Sequence, residues 1–145
     1  MKTNTPLNII IPLGGLGKRF SEEGYLRPKP LVRALGKPII NWVIDDLKLS
    51  DSDEIFIIYH NSLQKANFEA IVKRDHPNVK FKRLQNDTRG AAETVLKCLE
   101  AIPKKRRLYQ TICLDGDTFY RNDIIEIARS IKNGVVCFED KQDKP

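Results

Sequence analysis

The stretch IIIPLGGLGKRFSEEGYLRPKPL, residues 9–31, decides how this chain folds. The apolar run Leu7–Leu13 is short and rich in isoleucine, which predicts a central strand buried on both faces of a sheet. A cluster of glycines follows directly, then the pair Lys18-Arg19, and later the tripeptide Pro28-Lys29-Pro30. Residues 14–30 therefore predict a long loop, and a loop of this length in a compact domain is usually functional.

This loop matches neither of two better-known phosphate-binding motifs. A Walker P-loop would need glycine where the chain has Pro12, and a dinucleotide fingerprint starting at Gly15 would need glycine where the chain has Phe20. The chemistry still favours phosphate, because glycines let backbone N–H groups approach a polyanion closely. Arg19 adds a fork of donors, and Lys29 adds a mobile positive charge. A glycine-rich surface loop with incidental charges is the alternative interpretation.

Strand and helix patterns alternate along the rest of the chain. The predicted strands are Glu54–Tyr59, Val79–Leu84, Tyr109–Leu114 and Val135–Phe138, and the predicted helices run from Ile39 to Leu49, from Asn61 to about Arg74, from Ala91 to Ala101 and from Asn122 to Ile131. This alternation predicts an α/β fold with a mostly parallel sheet and helices on both faces, as one domain over residues 1–145. Ligands bind beyond the carboxyl ends of the strands in such sheets, so the loops 14–30, 85–90 and 115–118 are expected to form one site.

The two later loops carry polar groups that suit a nucleotide and a metal. Asp115-Gly116-Asp117 places carboxylates at a strand end, and such hard oxygen ligands hold Mg²⁺ against phosphate oxygens, although Asp-Gly is also ordinary turn chemistry. Gln85 can donate and accept hydrogen bonds, as contact with a base edge requires. The small residues Gly90-Ala91-Ala92 would let a flat ring lie against the backbone. The alternative interpretation is that they are only the start of a helix.

Composition narrows the functional classes. The chain has 145 residues, of which 41% are hydrophobic and 30% charged, a composition typical of a soluble globular protein. Its net charge of +6 suits a protein that handles anionic phosphates. The chain contains neither a membrane-spanning run nor an apolar signal segment before the first strand, so a cytoplasmic location is expected. The basic cluster Lys104–Arg107 is short and predicts a solvated turn rather than a nucleic-acid surface.

Taken together, PLGGLGKRF…RPKPL, Gln85 with Gly90-Ala91-Ala92-Glu93, and Leu114-Asp115-Gly116-Asp117 resemble the nucleotidyltransferase family of nucleoside-diphosphate-sugar pyrophosphorylases. The resemblance covers nearly the whole chain in the family's order and spacing. It implies a Rossmann-like sheet of the kind shared with GT-A glycosyltransferases. It also implies an enzyme that joins a nucleoside triphosphate to a sugar 1-phosphate, or a similar phosphorylated acceptor, and releases pyrophosphate.

The resemblance assigns roles to individual residues. The backbone around Leu13, Gly14, Gly15 and Gly17 would hold the nucleotide, and Gln85 and Gly90 would contact the base. Arg19 would contact the triphosphate and stabilise the departing pyrophosphate, Lys29 would neutralise the reacting phosphates, and Asp117 would bind the Mg²⁺ cofactor.

The chain departs from this family in length and at two positions. Family members usually continue into a second half that binds the sugar, which indicates that this chain is a part of a longer protein, is completed by a partner chain or a homo-oligomer, or binds nucleotide without full catalysis. Lys18 stands where the family often has a small hydroxyl residue, and Arg89 is unusual in the base-reading loop, so the identity of the nucleotide base stays undetermined.

A GT-A glycosyltransferase is the other alternative, because Asp115-Gly116-Asp117 is also a DxD motif. The expected partners are a nucleoside triphosphate and a phosphorylated small-molecule acceptor, with no nucleic acid and no membrane.

Overall fold

A four-stranded parallel sheet forms the centre of the protein. The computed structural model describes residues 5–15 and 17–137. The strands are β1 (Leu7–Leu13), β4 (Glu54–His60), β5 (Lys80–Leu84) and β6 (Gln110–Cys113), and their order in the sheet is β5-β4-β1-β6. A separate antiparallel pair consists of β2 (Arg33–Ala34) and β3 (Lys37–Pro38). All three pairings within the main sheet are parallel, so the predicted α/β fold class is confirmed.

Five α-helices accompany the sheet in the described residues. They are α1 (Lys18–Glu22), α2 (Ile39–Asp45), α3 (Phe68–Asp75), α4 (Ala91–Ala101) and α5 (Ile124–Ser130). Alternate side chains of β1 enter two separate cores: Ile9 and Ile11 pack with residues of α2, α3 and α5, whereas Ile10 packs with Cys98 of α4. The sheet is therefore covered on both faces, as its isoleucine-rich central strand indicates. No helix within the described ranges is long and apolar enough to span a membrane.

Two of the predicted helices are shorter or divided. The helix predicted from Ile39 to Leu49 ends at Asp45. The helix predicted from Asn61 is instead a 3₁₀ segment, Asn61–Ala66, followed by α3. Asn67 separates the two segments with a left-handed backbone (φ 54°), and this conformation cannot continue a helix.

Two helical segments have caps next to their predicted first residues. The side chain of His60, one residue before the predicted helix start at Asn61, accepts the Ser62 N–H at the start of the 3₁₀ segment. Asp123, and not Asn122, accepts the Glu126 N–H at the start of α5. Sequence patterns locate such starts to within a residue or two, because neighbouring polar side chains are all suitable caps.

The first predicted loop and the last predicted strand also differ from the structure. The predicted loop 14–30 contains the five-residue helix α1, which begins after Gly17 in the left-handed conformation (φ 62°). The predicted strand Val135–Phe138 is not formed over residues 135–137, while Phe138 lies outside the described residues. Val135 and Val136 instead line a groove beside β6.

The basic cluster is only partly solvated. Lys104–Arg106 forms a 3₁₀ helix, and Arg106 is buried, whereas the prediction was a solvated turn. Its guanidinium donates to Asn8 Oδ1 at 2.9 Å and to the carbonyl oxygens of Leu7 and Ser52 at 3.0 Å. Arg106 therefore ties the segment before β6 to the first residues of β1, and this is a structural role.

Candidate active site

The carboxyl ends of the parallel strands lie at one edge of the sheet, and the chain direction creates a crevice there. From β1 the chain continues to β4 and β5 on one side, and only later returns to β6 on the other side. The order of strands therefore reverses between β1 and β6, which is where α/β sheets bind ligands. The glycine loop follows β1, and the Asp115-Gly116-Asp117 turn follows β6, so both border this crevice.

A cleft of about 700 Å³ opens at this edge, and we call it the Arg19 cleft. Its residues come from the end of β1 and the glycine loop, from α1, from the segment at Lys29, from the start of α4 and the loop before it, and from the turn after β6. They are Pro12, Gly14, Gly15, Gly17, Lys18, Arg19, Phe20, Lys29, Asp87, Thr88, Gly90, Ala91, Thr94 and Asp115. Three cationic side chains and a stretch of glycine backbone thus line one cleft, an arrangement that suits a polyphosphate.

The glycine at position 14 lets α4 approach the end of β1. A Cβ added to Gly14 would lie 2.7 Å from Cγ2 of Thr94, a residue that is 3% exposed. Thr94 is held in place by Thr88 Oγ1 at 2.7 Å and by the Gly90 carbonyl oxygen at 3.2 Å. Gly14 therefore positions the loop before α4 against the glycine loop.

We expect Gly14→Ala to lower the free energy of unfolding by about 1–3 kcal/mol, because the added methyl group overpacks a buried contact. Urea unfolding monitored by circular dichroism measures this loss. Gly15→Ala is the matched control for stability, since a Cβ there meets no atom within 4 Å. In a Thr94→Ala background the cost of Gly14→Ala should shrink; equal costs in the two backgrounds would show that the Thr94 contact is not the cause.

The turn after β6 is tightly packed against β1. A Cβ added to Gly116 would lie 2.6 Å from Cδ2 of Leu13, so glycine is required for this approach. Burial raises the pKa of the Tyr120 phenol, and the backbone N–H of Asp115 opposes this rise. The neutral phenol next to the turn helps to fix Asp115, and the partly exposed side chain of Asp117 lines a cleft beside the glycine loop.

Lys29 and Asp117 form an ion pair across the crevice. The side chain of Lys29 also lies over the Phe20 ring, 5.5 Å from its centroid. The ammonium group of Lys29 therefore contacts Asp117, the predicted metal ligand, so the carboxylate of Asp117 is accessible to a positively charged group. The described residues contain no preformed cluster of three His, Cys, Asp or Glu side chains. One or two carboxylates are nevertheless sufficient for Mg²⁺, which takes its remaining ligands from water and substrate phosphates, so the residues present fit this ion.

A second cleft of about 410 Å³ adjoins the first, and we call it the Tyr25 cleft. The two clefts share Lys29, Asp115 and part of the glycine loop. The Tyr25 cleft adds Leu13, Asp117 and Tyr25, whose ring centroid lies 4.8 Å from that of Phe20, a residue that lines both clefts. Lys29 thus stands where the two clefts meet.

The structure unites most of the predicted site residues and separates one. The glycines, Arg19, Lys29 and Gly90 line the Arg19 cleft, and Leu13 and Asp117 line the Tyr25 cleft. Gln85 instead lines a neighbouring depression with Tyr59 and Gln64. Its contact with a base therefore stays a prediction that the geometry does not strengthen.

Two residues at the site were not predicted from the sequence. His60, at the carboxyl end of β4, lies with its Nε2 atom 2.8 Å from Oδ1 of Asp87, and Asp87 lines the Arg19 cleft. Thr94 holds the loop before α4, as described above. The position of His60 directly after a buried strand was an available signal, because the ends of parallel strands face the ligand.

The sequence profile of the nucleotidyl transferase family matches residues 8–145. The chain belongs to this family. The resemblance predicted from the three loops is thereby confirmed.

Individual relatives agree with this assignment. The bifunctional protein GlmU of Methanocaldococcus jannaschii is 28% identical over 160 residues, which cover 96% of this chain and 36% of the relative. GlmU of Thermosipho africanus is 33% identical over 111 residues, covering 77% of this chain and 22% of the relative. The chain thus spans about a third or less of the length of these two relatives.

Solved structures share the fold. A nucleoside-diphosphate-sugar pyrophosphorylase from Vibrio cholerae RC9 superposes with a TM-score of 0.60 and 26% identity, over 82% of this chain and 52% of that protein. A nucleotidyl transferase from Methanothermobacter superposes with a TM-score of 0.54 and 18% identity, over 79% of this chain and 51% of that protein. The chain corresponds to about half the length of each.

Proposed function

We propose that this protein acts as a Mg²⁺-dependent nucleotidyltransferase, joining a nucleoside triphosphate to a sugar 1-phosphate or a similar phosphorylated acceptor. The observation that carries the proposal is the Arg19 cleft, where Lys18, Arg19 and Lys29 meet glycine backbone at the crevice between β1 and β6. Membership of the nucleotidyl transferase family supports the reaction class. A cytoplasmic location is part of the proposal.

In the proposed reaction, a phosphate oxygen of the acceptor attacks the α-phosphorus of the triphosphate. The bond from the α-phosphorus to the oxygen bridging to the β-phosphate breaks, and pyrophosphate leaves with the electron pair. The acceptor phosphate is already anionic, so no strong general base is needed. Catalysis then depends on positioning and on neutralising charge in the transition state.

Each site residue has a proposed role in this reaction. The backbone of Gly14, Gly15 and Gly17 would cradle the phosphates, with Leu13 and Gly90 bordering the nucleoside. Arg19, which is exposed in the cleft, would stabilise the charge that develops on the leaving pyrophosphate. Base contact by Gln85 remains part of the proposal, although it requires a side-chain position different from the one observed.

Lys29 would contact both reacting partners. It lines both clefts and so would neutralise the α-phosphate and the attacking phosphate together. Asp117, with Asp115 beside it, would hold Mg²⁺, which when bound supplies positive charge to the phosphate oxygens. The ion pair between Lys29 and Asp117 would then open, and this would free the lysine for the phosphates.

Incubation with each nucleoside triphosphate, Mg²⁺ and a panel of sugar phosphates, followed by detection of pyrophosphate, tests the proposal. Pyrophosphate release that requires an acceptor supports it. Transfer of sugar from a nucleotide sugar without pyrophosphate would instead indicate a glycosyltransferase. Triphosphate binding without turnover would indicate a nucleotide-binding module that a partner chain or a further domain completes.

A further inference from the structure

The Tyr25 cleft contains a cationic side chain, Arg27, that the Arg19 cleft does not share. Lys18 and Arg19 line the Arg19 cleft only, Arg27 lines the Tyr25 cleft only, and Lys29 lines both. The cations of the glycine loop and the segment after it are therefore divided between two adjoining clefts. The proposed reaction brings together two anionic substrates, and this division provides cationic side chains for each of them.

The guanidinium of Arg27 is available to a ligand. Among the residues that the structure describes, it forms no ion pair and no side-chain hydrogen bond. The carboxylate of Asp117, which lines the same cleft, pairs with Lys29 instead. A guanidinium carries several N–H donors in a planar fork, and this geometry matches the oxygen atoms of a phosphate group.

The backbone holds Arg27 and Lys29 in one short, fixed segment. Pro28 follows Arg27 directly, and a proline restricts the residue before it to extended conformations. The Pro28 carbonyl oxygen accepts the Leu31 N–H at 2.8 Å, and the Lys29 carbonyl oxygen accepts the Val32 N–H at 3.1 Å. Leu31 is 3% exposed and anchors the segment in the core. Both cationic side chains are thus presented to the Tyr25 cleft from a constrained backbone.

The charge of this cleft favours an anionic ligand when the metal is present. Arg27 and Lys29 balance the two carboxylates of Asp115 and Asp117, which line the cleft with them. With Mg²⁺ bound at the carboxylates, as proposed above, the cleft would carry a net positive charge. A phosphate group is attracted to such a cleft, whereas an uncharged hydroxyl group gains little from it.

We propose that Arg27 binds the phosphate of the acceptor, a phosphate monoester, in the Tyr25 cleft. A monoester has three terminal oxygen atoms. The guanidinium holds two of them, and the third stays free to attack the α-phosphorus beside Lys29. The bonds that form and break are those of the proposed reaction, so no further reactant is required. The inference rests on the proposed function, because it assigns part of the acceptor side of the same site to this chain.

Binding measurements test the inference without turnover. The Arg19 cleft is first saturated with Mg²⁺ and the α,β-methylene analogue of the tightest-binding nucleoside triphosphate, whose bridging carbon cannot leave. Inorganic phosphate is then titrated as the probe, and the NMR signal of the Arg27 Nε–H group reports its binding. We expect Arg27→Ala to weaken phosphate binding about tenfold, on the scale of one hydrogen bond to a charged group. The triphosphate affinity should stay unchanged.

Arg121→Ala is the matched control, because Arg121 is an exposed arginine that lines neither cleft. It removes the same charge and should leave both affinities unchanged. Thermal unfolding of each variant checks that it is folded. Arg27→Lys should recover only part of the phosphate affinity, since an ammonium group lacks the planar fork.

The possible outcomes separate this inference from the proposed function. Phosphate binding that is absent from the saturated wild-type protein, or unchanged in Arg27→Ala, would overturn the inference and leave the nucleotidyltransferase proposal intact. An equal loss of phosphate and triphosphate affinity would assign Arg27 to the triphosphate and would also overturn it. If no nucleoside triphosphate bound to the protein, both proposals would fail.

The turnover assay gives a second readout. Arg27→Ala should raise the KM of the acceptor about tenfold with a smaller change in kcat, because the contact with the acceptor phosphate forms before the reaction begins. A lower kcat with an unchanged acceptor KM would contradict the assignment of Arg27 to acceptor binding.

Discussion

Arg106→Met should lower the free energy of unfolding by about 2–4 kcal/mol, because three acceptor oxygens would lose their charged donor and an unsatisfied buried acceptor costs about 1–3 kcal/mol. The guanidinium lies 3.2 Å from Oε1 of Glu54 and donates to Asn8 and to the carbonyl oxygens of Leu7 and Ser52. Methionine keeps much of the volume but has no donor. The glutamate charge and the buried oxygen atoms would then lose their partner, and unsatisfied buried groups are costly.

Urea unfolding with linear extrapolation measures this loss of stability. Lys105→Met is the matched control, because Lys105 is the exposed neighbour in the same 3₁₀ helix and should change stability by less than about 0.5 kcal/mol. Adding Glu54→Gln to Arg106→Met should recover part of the loss, since it removes the unpaired charge. If Arg106→Met and Lys105→Met destabilised the protein equally, the buried network would not be the source of stability.

Arg106 also shows what the sequence could not reveal about the fold. Nothing in Lys104–Arg107 distinguishes one basic residue from its neighbours, and the partners of Arg106 come from Leu7, Asn8 and the start of β4. Only the folded sheet brings these groups together. The strands themselves were predictable, because β1 and β4 are short apolar runs between polar turns.

For the candidate site, the sequence likewise predicted which loops meet but not which side chains pair. Parallel strands place their carboxyl ends at one edge, so the meeting of the glycine loop with the Asp115-Gly116-Asp117 turn followed from the strand pattern. The pairing of His60 with Asp87 did not, because it depends on how β4 and β5 lie in register. The location of Gln85 in a separate depression likewise follows from the path of one loop, which residue type does not determine.

Arg19→Ala should lower kcat/KM of the proposed pyrophosphate-releasing reaction by about 100-fold or more, on the scale of losing one transition-state donor. Arg19 lies in the Arg19 cleft on α1, a helix that buries none of its own side chains, so its removal should leave folding intact. A triphosphate develops most new charge on the departing pyrophosphate, where a guanidinium can donate twice. We therefore expect kcat to fall more than triphosphate affinity, because the contact strengthens as the bond breaks.

Steady-state kinetics with pyrophosphate detection, paired with calorimetric triphosphate binding, separate these two effects. Arg33→Ala is the matched control: it removes an exposed arginine from β2 that lines neither cleft, and it should leave kcat/KM unchanged. Arg19→Lys should recover only part of the rate, since a point charge cannot reproduce the two-pronged contact. A folded Arg19→Ala protein with near-normal kcat/KM would remove Arg19 from the reaction, and charge neutralisation would then depend on Lys29 and on the Mg²⁺ that we propose at Asp117.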